Sequence, residues 1–293
     1  MKISYYPLGS WAMSSSRLRV HMVAQELIRL GHTVDYNTFA DDTDVILIQK
    51  RFDCGSVINA AREKKIPLIW DVDDYIPGGP AHLVNVVTTD RPEKRKLYPD
   101  AIVIPDCLDL SDLIYSSIKT SHRPNLGLIG TYCNAENAVH IRDVNTARKS
   151  LDLEFQVITD LRLVALPSDV QGIQWTLESV NSQIIQWDLV VLPLTRDSKW
   201  SDLWVGSKSS NRLLKAWGLA MPVVGAPIAA YQEMGLAYTA SSVKEWVEAL
   251  TALRDVSARV RTGREGYLKA QEFKASVLVQ EWLKLFRRLT LHE

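Results

Sequence analysis

Short β-rich runs alternate with helical segments along this chain, and the alternation occurs twice. The first series is KISYY (2–6), TVDY (33–36), DVILIQ (44–49), PLIWDVD (67–73), NVVTTD (85–90) and AIVIPD (101–106). The second series is LGLIGT (126–131), LEFQVIT (153–159), GIQWTLES (172–179), DLVVLPL (188–194), PVVGAP (222–227) and GLAYTA (235–240). Because strands that alternate with helices form a parallel sheet covered by helices, this pattern predicts an α/β chain with two doubly wound domains.

A polar, proline-containing stretch at 120–125 separates the two series and indicates a domain boundary. The length of 293 residues also favours two domains, since single cores stop growing at about 250–300 residues. We predict an N-terminal domain at 1–118, a C-terminal domain at 119–270 and a helix at 271–293 that packs back on the domains. Open parallel sheets bind ligands outside the carboxyl ends of their strands, so the two domains are expected to face a central, ligand-binding cleft.

The residues after 240 have a helical pattern. In SSVKEWVEALTALRD, apolar residues recur with the period of an α-helix, and Ser241 or Ser242 is expected to be the N-cap. The segment 277–289 is amphipathic with a basic end. We expect it to pack on the domains, and peripheral contact with a membrane surface is the alternative.

Charge and composition exclude several classes of protein. The 34 basic residues equal the 34 acidic ones, so no overall charge attracts nucleic acid, and any anion site has to be local. No segment reaches the ~20 apolar residues that span a bilayer, and the N-terminus lacks the apolar core of a secretory signal. The 3 cysteines lack CxxC spacing and predict neither disulfides nor a zinc site. We therefore expect a cytoplasmic protein without a metal or organic cofactor.

The first predicted strand leads into a glycine- and serine-containing loop, PLGSWAMSSSR, and then into a helix. Ser14, Ser15, Ser16 and Arg17 are placed where backbone amides and the helix dipole favour an anion or sugar hydroxyls. Neither G-x-G-x-x-G nor a P-loop pattern occurs here, so this loop does not indicate a dinucleotide site. The alternative is that the serines only cap the helix.

Three acidic residues end the run PLIWDVDDY. Strand alternation sends Asp71 and Asp73 to one face and Asp74 to the other, so at least one carboxylate is expected to meet the ligand. The D-x-D pattern can bind Mg²⁺, but we favour hydrogen bonding to hydroxyl groups or to the loop. His82 lies in the loop that follows. Asp73, Asp74 and His82 are the candidate catalytic residues.

A polar loop, VGSKSSN, precedes the apolar helix pattern RLLKAWGLA. Ser209 or Ser210 is expected to be the N-cap, which places Lys208 at the positive end of the helix. Lys208, Asn211 and Lys215 are predicted to share one polar stripe. Helix amides, a lysine and adjacent hydroxyls form a suitable site for a diphosphate, while an ordinary capped helix with a surface lysine is the alternative.

The order of these segments resembles that of the GT-B glycosyltransferases, particularly the retaining family 4 type. The strand DLVVLPL, the polar loop, the helix and the strand P-V-V are similar to the donor-binding half of that family. Three segments of this chain are similar to segments of the family's first half: SSSRLRVHMVAQELIRLGHTVDY, IPLIWDVDDY and AIVIPDCLD. The resemblance covers about residues 1–240. It implies two Rossmann-like domains, the N-terminal one on the acceptor side and the C-terminal one holding a nucleoside-diphosphate sugar as substrate.

When this sequence is matched to the family pattern position by position, the resemblance implies that the diphosphate is bound by Lys208, Ser209, Ser210 and Asn211. Arg212 is an additional cation. The resemblance also implies a retaining hexosyltransferase that works without a bound metal in glycan biosynthesis, with a glycan, lipid or protein hydroxyl as acceptor.

Two departures from the family pattern bear on the donor site. Lys215 stands where the family usually has a ribose-binding glutamate, so Lys215 and the loop residue Trp204 are candidates for ribose or base contacts. The family's basic pair after the first strand of the second domain is missing from GLIGTYCNAENAVHIRDV. These departures favour a non-catalytic binding or accessory protein of the same fold as one alternative. A nucleotide-sugar epimerase of the same two-domain architecture is the other.

Overall fold

The computed structural model describes residues 1–74, 79–110, 124–129, 137–162, 166–194, 205, 206 and 208–291. The chain divides into two compact units. Unit 1 comprises Met1–Asp109, Asp202–Ser209 and Glu272–Glu293, and unit 2 comprises Leu110–Ser201 and Ser210–Gln271. The predicted boundary at 118/119 lies outside the described residues.

Unit 1 is built on a six-stranded sheet with the order β2-β1-β3-β4-β5-β6. Its strands are β1 (Lys2–Tyr6), β2 (Thr33–Tyr36), β3 (Val45–Gln49), β4 (Leu68–Asp71), β5 (Val86–Thr89) and β6 (Ile102–Val103). Every pairing is parallel. The central strand β3 is buried along its whole length, as expected for a sheet that is covered on both faces.

Two helices follow strands in the first part of unit 1. Helix α1 is formed by three consecutive segments, Ser14–Ser16, Arg17–His21 and Met22–Arg29, of which the middle one is a π-helix. It ends before Gly31, whose φ of +85° is the left-handed conformation that commonly terminates helices. Helix α2 is Gly55–Glu63. Short 3₁₀ segments cover Ala81–Leu83 and Pro92–Lys96.

Unit 2 repeats the architecture with a six-stranded sheet of order β12-β11-β10-β7-β8-β9. Its strands are β7 (Leu126–Ile129), β8 (Phe155–Thr159), β9 (Gln171–Gln174), β10 (Leu189–Leu192), β11 (Val223–Gly225) and β12 (Tyr238–Thr239), all paired in parallel. Its helices are α3 (Asn137–Ser150), α4 (Val180–Ile184), α5 (Asn211–Gly218), α6 (Ala229–Glu233), α7 (Val243–Ala252) and α8 (Val256–Ala270). Two parallel sheets with intervening helices confirm the predicted fold class.

The start of α7 is set by a complete capping box. The side chain of Ser242 accepts from the amide of Glu245, and the Glu245 carboxylate accepts from the amide of Ser242. This confirms one of the two serines predicted as N-cap. Such a cap stabilises a helix by about 1 kcal/mol.

The last helix, α9 (Ala275–Thr290), belongs to unit 1. Its apolar face, which includes Trp282 and Phe286, joins a core formed by α1 and one face of the first sheet. The opposite face of that sheet packs on α2 through residues that include Ile46 and Ile58. The predicted C-terminal helix therefore packs on the first unit.

Candidate functional site

Each sheet has one point at which the chain reverses its direction of winding. In unit 1 this switch lies between β1 and β3, because β2 pairs with one side of β1 and β3 to β6 follow on the other. In unit 2 it lies between β7 and β10. Ligands of open α/β sheets bind at the carboxyl ends of the strands at such points. The ligand-binding residues are therefore expected around these two strand ends.

Asp71 ends β4 but is part of the buried framework of unit 1. Both of its oxygens accept from the guanidinium of Arg19, at 2.7 and 2.6 Å, and one also accepts from Thr88 Oγ1 at 2.7 Å. Arg19 also donates to Asp106 Oδ1 and to the carbonyl of Ile104, both at 2.9 Å. Arg19 and Asp71 are at most 1% exposed. The two residues therefore tie α1, β4 and the segment after β6 together.

Asp73 and Asp74 share one lysine that the sequence interpretation did not single out. The ammonium of Lys50 lies 2.5 Å from Asp73 Oδ1 and 2.6 Å from Asp74 Oδ2. Lys50 follows β3 directly and has a φ of +55°, a left-handed conformation that is strained for a lysine. Asp73 is buried, whereas the side chain of Asp74 is 64% exposed. Asp74 is therefore the carboxylate of this pair that solvent or a ligand can reach.

The charge on Asp74 is held by its surroundings. Although the Asp74 side chain is 64% exposed, the protein atoms around it remove part of its hydration and oppose ionisation, but the positive charges of Lys50, Lys94 and Lys208 outweigh this effect and lower its pKa. Lys208, which is predicted to bind the donor diphosphate, thus lies close enough to Asp74 to interact with it electrostatically.

A second, buried charge cluster lies behind the aspartates. Lys94 donates to the carboxylate of Asp90 and to the backbone carbonyl of Asp73. Burial, together with the nearby carboxylate of Asp106, raises the pKa of Asp90 to about 6, although Lys94 and Arg19 oppose the shift. Asp90 therefore changes charge about two pH units above an ordinary aspartate.

The backbone around Lys208 is held by Arg91, which follows β5. The Nη1 of Arg91 donates to the carbonyl of Lys208 at 2.5 Å and to the carbonyl of Gly206 at 3.3 Å, while Nη2 donates to Glu93 at 2.7 Å. Arg91 is 6% exposed. A buried guanidinium thus fixes the path of the backbone directly before α5. The side chain of Lys208 itself is half-buried.

Helix α5 begins at the strand end where unit 2 reverses. Helix α5 connects the parallel strands β10 and β11 and therefore runs antiparallel to them. Its first turn thus lies at the carboxyl edge of the sheet. Ser210 is the N-cap residue, but its side chain makes no capping hydrogen bond, and the first turn of α5 contains no acidic residue. Ser209 and Asn211 are half-buried, and Arg212 is exposed. The backbone amides at the start of α5 therefore lie beside the hydroxyls of Ser209 and Ser210 and the guanidinium of Arg212. The first turn contains no carboxylate.

The predicted polar stripe on α5 needs correction at Lys215. Its side chain is 7% exposed and lies among the buried residues of the helix, with Leu214 and Ala216 as neighbours in the chain. The helical spacing alone placed Lys215 on the same face as Lys208 and Asn211. Burial of this lysine means that its long aliphatic stem is packed, as described for amphipathic side chains.

The loop after β1 is more tightly ordered than a simple serine cap requires. Ser14, Ser15 and Ser16 form the first turn of α1. Ser16 Oγ donates to Gln49 Oε1 at 2.8 Å and accepts from the amide of Gly9 at 3.0 Å. Arg17 is 2% exposed and forms a two-pronged ion pair with Asp109, at 2.7 and 2.8 Å. Arg17 was predicted as a cation facing the ligand, and its guanidinium instead faces Asp109.

His82 is not brought together with Asp73 and Asp74. It is exposed in the 3₁₀ segment before β5, and the amide of Asn85, three residues later, donates to Leu68 at the start of β4. This places His82 toward the amino end of β5, whereas the aspartates follow the carboxyl end of β4. The register of parallel strands therefore separates the predicted catalytic residues.

Trp204 lies outside the described residues. No group of three or more His, Cys, Asp or Glu side chains in the described part of the chain is arranged to hold a metal ion. None of the described helices has the length and apolar character that crossing a membrane requires.

Sequence reasoning missed Lys50 and Arg91. Lys50 carried one signal, since it directly follows the apolar strand β3 at its carboxyl end. Arg91 carried none, because its partners Gly206 and Lys208 lie more than 100 residues away in the chain. Only the folded arrangement identifies the arginine that orders the predicted phosphate-binding segment.

Comparisons with known proteins give similarity at the level of structure. No family model matches the sequence, and no curated protein matches it. AviGT4, a glycosyltransferase involved in avilamycin A biosynthesis, aligns with a TM-score of 0.70 and 13% identity over 100% of this chain and 98% of that one. Sucrose-phosphate synthase from Thermosynechococcus elongatus aligns with a TM-score of 0.72 and 11% identity over 100% of both chains.

A third structure is longer than this chain. The pneumococcal O-GlcNAc transferase GtfA, in complex with UDP and GlcNAc, aligns with a TM-score of 0.58 and 14% identity. The alignment covers 85% of this chain and 58% of GtfA. Together with the two six-stranded parallel sheets, these similarities confirm the predicted GT-B fold. The chain has the α/β fold of the GT-B glycosyltransferases.

Proposed function

We propose that the chain is a glycosyltransferase that moves a sugar from a nucleoside-diphosphate sugar to a hydroxyl group of an acceptor. The observation that carries this proposal is the start of α5. A helix of 8 residues begins there at the switch point of the second sheet, preceded by Lys208, Ser209 and Ser210 and without an acidic residue in its first turn. The partial positive charge of a helix N-terminus and the charge of a lysine both favour a diphosphate.

The structural neighbours support the same proposal. AviGT4 is a glycosyltransferase, and GtfA was solved with UDP and GlcNAc bound. A site of the same chemistry in this chain would bind the diphosphate of the donor at residues 208–212. Arg91 would keep that segment in place through its bonds to the carbonyls of Gly206 and Lys208.

The chemistry requires stabilisation of a leaving group. When the bond between the anomeric carbon and the diphosphate oxygen breaks, negative charge develops on that oxygen, and the α5 amides with Lys208 stabilise it. The acceptor hydroxyl loses its proton as its oxygen bonds to the anomeric carbon. We propose that the leaving phosphate takes this proton. The reaction would retain configuration, use no metal and transfer a hexose.

The test is a donor screen with product analysis. The full chain is incubated with UDP-, GDP-, ADP- and dTDP-hexoses, each with and without a mixed panel of glycoside acceptors, and released nucleoside diphosphate is measured. We expect release with at least one donor and its loss in Lys208→Ala. Activity that survives EDTA and a product with the anomeric configuration of the donor are the expected finer results.

The same samples separate the alternatives. Conversion of the donor sugar to an epimer without acceptor would indicate an epimerase. Donor binding without release or conversion under any condition would indicate a binding protein. Either result would overturn the proposed transfer reaction.

A further inference from the structure

A row of aromatic rings, which the proposed donor site does not use, lies at the carboxyl end of the unit 1 sheet. Trp11 follows β1, His21 lies in α1 and Tyr36 ends β2. The ring centroids of Trp11 and His21 are 5.8 Å apart, and those of His21 and Tyr36 are 5.4 Å apart. Trp11 is 37% exposed and Tyr36 is 38% exposed. We refer to these three residues as the aromatic row.

Buried polar side chains fix the backbone that presents Trp11. Arg17 Nη1 donates to the carbonyl of Trp11 at 2.8 Å and to that of Ala12 at 3.3 Å. Gln49, which is fully buried, accepts from the amide of Leu8 at 3.2 Å. An exposed ring on a backbone that is already ordered loses little conformational freedom when a ligand binds. The loop is therefore ordered in advance, while its indole faces solvent.

Hydrogen-bonding groups border the aromatic row. Asn37 follows Tyr36 and accepts through Oδ1 from Arg51 Nη1 at 3.1 Å. Arg51 also donates to both oxygens of Asp53, at 2.8 and 2.6 Å, and the side chain of Asp53 is 68% exposed. Asn37, Arg51 and Asp53 form a polar rim with an amide, a guanidinium and a carboxylate.

The location of these residues is one at which α/β sheets bind ligands. The loop of Trp11 follows β1, and Arg51 and Asp53 follow β3. These two adjacent strands form the switch point of unit 1. Rings and rim thus lie at the crevice where the rule for open parallel sheets expects a ligand.

We propose that the aromatic row and the polar rim bind a carbohydrate, one pyranose ring of which lies against Trp11. A pyranose ring has an apolar face of C–H groups that packs on an aromatic ring, and hydroxyl groups at its edge that pair with amide, guanidinium and carboxylate groups. A lipid chain would match the rings but not the rim. The bound carbohydrate would be the acceptor of the transfer reaction, and this part of the inference rests on the proposed glycosyltransferase function.

The test is ligand binding by the full chain. Methyl glycosides of glucose, galactose, mannose and N-acetylglucosamine, and disaccharides of these sugars, are titrated by calorimetry and by saturation-transfer NMR. We expect saturable binding of at least one disaccharide, with binding epitopes on ring C–H protons. Trp11→Ala and Tyr36→Ala should each weaken it about tenfold or more, and Trp11→Phe should weaken it less than Trp11→Ala.

A matched control and a competing ligand make the result decisive. Leu268→Ala, at an exposed apolar residue of α8, should leave the sugar affinity unchanged. Circular dichroism and nucleoside-diphosphate affinity report whether the variants remain folded. Absence of saturable sugar binding, or equal affinity in Trp11→Ala and the wild type, would overturn the proposal. Trp11-dependent binding of phosphatidylcholine vesicles in place of sugars would also overturn it.

The two proposals fail separately. If sugars bind and no nucleoside diphosphate does, the proposed function is contradicted and the carbohydrate site stands. If a nucleoside diphosphate binds and no sugar does, the carbohydrate site is contradicted and the proposed function stands.

Discussion

At the level of single residues, charged side chains form the framework of the first unit. Arg19 bridges Asp71 and Asp106 without solvent exposure, and Arg17 pairs with Asp109. Both arginines lie in the π-helical part of α1, where Arg17, Leu18, Arg19 and Val20 are all buried. A π-helix adds a residue to the turn and so changes which side chains face inward, and such segments are frequent at functional sites. The framework positions the strand ends that carry the candidate site.

Replacing Arg19 by methionine should destabilise unit 1 strongly. The change leaves Asp71 and Asp106 buried without their cation, and breaking a buried ion pair in this way costs about 3–5 kcal/mol. Denaturant unfolding measures the effect. Arg29→Met is the matched control, because Arg29 pairs with Glu26 on the surface, with 64% of its side chain exposed. It should cost less than about 1 kcal/mol, and equal effects of the two changes would contradict the buried role of Arg19.

Asp90 should give the unfolding free energy a distinctive pH dependence. Its pKa is raised to about 6 in the folded chain from an ordinary value of 3.8, so the folded state binds more protons than the unfolded state between these values. Its contribution to stability is therefore largest at acid pH and falls as the pH rises from about 4 to about 6. Asp90→Asn removes this contribution.

The comparison with wild type isolates the effect from that of other carboxyl groups. The unfolding free energy of Asp90→Asn minus that of the wild type should increase between pH 4 and pH 6 and stay level above it. A difference that is constant across this range would show that the pKa of Asp90 is not raised.

Arg91 should act on nucleotide binding through the backbone that it holds. Arg91→Gln removes the charge-assisted bonds to the carbonyls of Gly206 and Lys208, which are each worth about 1.5–3 kcal/mol. We expect faster hydrogen exchange at residues 205–209 and roughly tenfold weaker nucleoside-diphosphate binding. Arg62→Gln, on the exposed side of α2, is the control. Faster exchange without any change in affinity would separate Arg91 from the proposed site.

These residues also show what the sequence could not reveal. In the amino-acid sequence nothing indicates that three of these cations are buried, so they resemble ordinary surface residues: Arg17, Arg19 and Lys50. Their partners Asp109, Asp71 and Asp73 lie between 23 and 92 residues away. The candidate Lys208 and the acidic strand end were identified from local patterns, since a helix start and a strand end are local features. His82 was misjudged as a companion of the aspartates because strand register is not local.

At the level of elements, helical packing in unit 2 depends on one close approach. Gly266 of α8 lies against Trp217 of α5, and a Cβ at position 266 would lie 2.3 Å from Cδ1 of the indole. Only a glycine allows this approach. The packing of α8 therefore helps to place α5, whose first turn is the proposed diphosphate site.

Gly266→Ala should displace α5 and lower stability. Overpacking of this kind costs about 1–3 kcal/mol, and we expect both a lower denaturation midpoint and weaker nucleoside-diphosphate binding. Gly55→Ala is the matched glycine control, because a Cβ there meets no atom within 4 Å and Gly55 begins α2 of unit 1. The double variant Gly266→Ala/Trp217→Leu should recover part of the lost stability. Failure to recover any of it would contradict steric conflict with Trp217 as the cause.

Most elements were predictable because their signals are periodic. The alternation of apolar runs located all 12 strands of the two sheets, although β6 and β12 extend over only two residues each. The predicted helix starts at Ser14 and not after the serines, because a serine in the first turn is compatible with helical backbone. The π-helical segment was not predicted, and its two arginines pair with carboxylates that are distant in the chain.

At the level of the whole molecule, the fold is shared with glycosyltransferases although sequence identity to the structural neighbours is low, at 13% for AviGT4. Two parallel sheets each have their own switch point, and each switch point carries a different chemistry. Unit 1 presents aromatic rings with a polar rim, and the switch point of unit 2 leads into the helix start at α5. The central claim is that residues 208–212 bind the diphosphate of the donor.

Calorimetric titration of nucleoside diphosphates tests this claim most directly. UDP, GDP, ADP and dTDP are titrated into the wild type, Lys208→Ala and the control Lys244→Ala, whose side chain is 86% exposed on α7. We predict that at least one diphosphate binds to the wild type, that Lys208→Ala weakens its binding at least about tenfold, which corresponds to ~1.4 kcal/mol, and that Lys244→Ala leaves it unchanged. Absence of binding by all four diphosphates, or equal affinity in Lys208→Ala and the wild type, would contradict the claim.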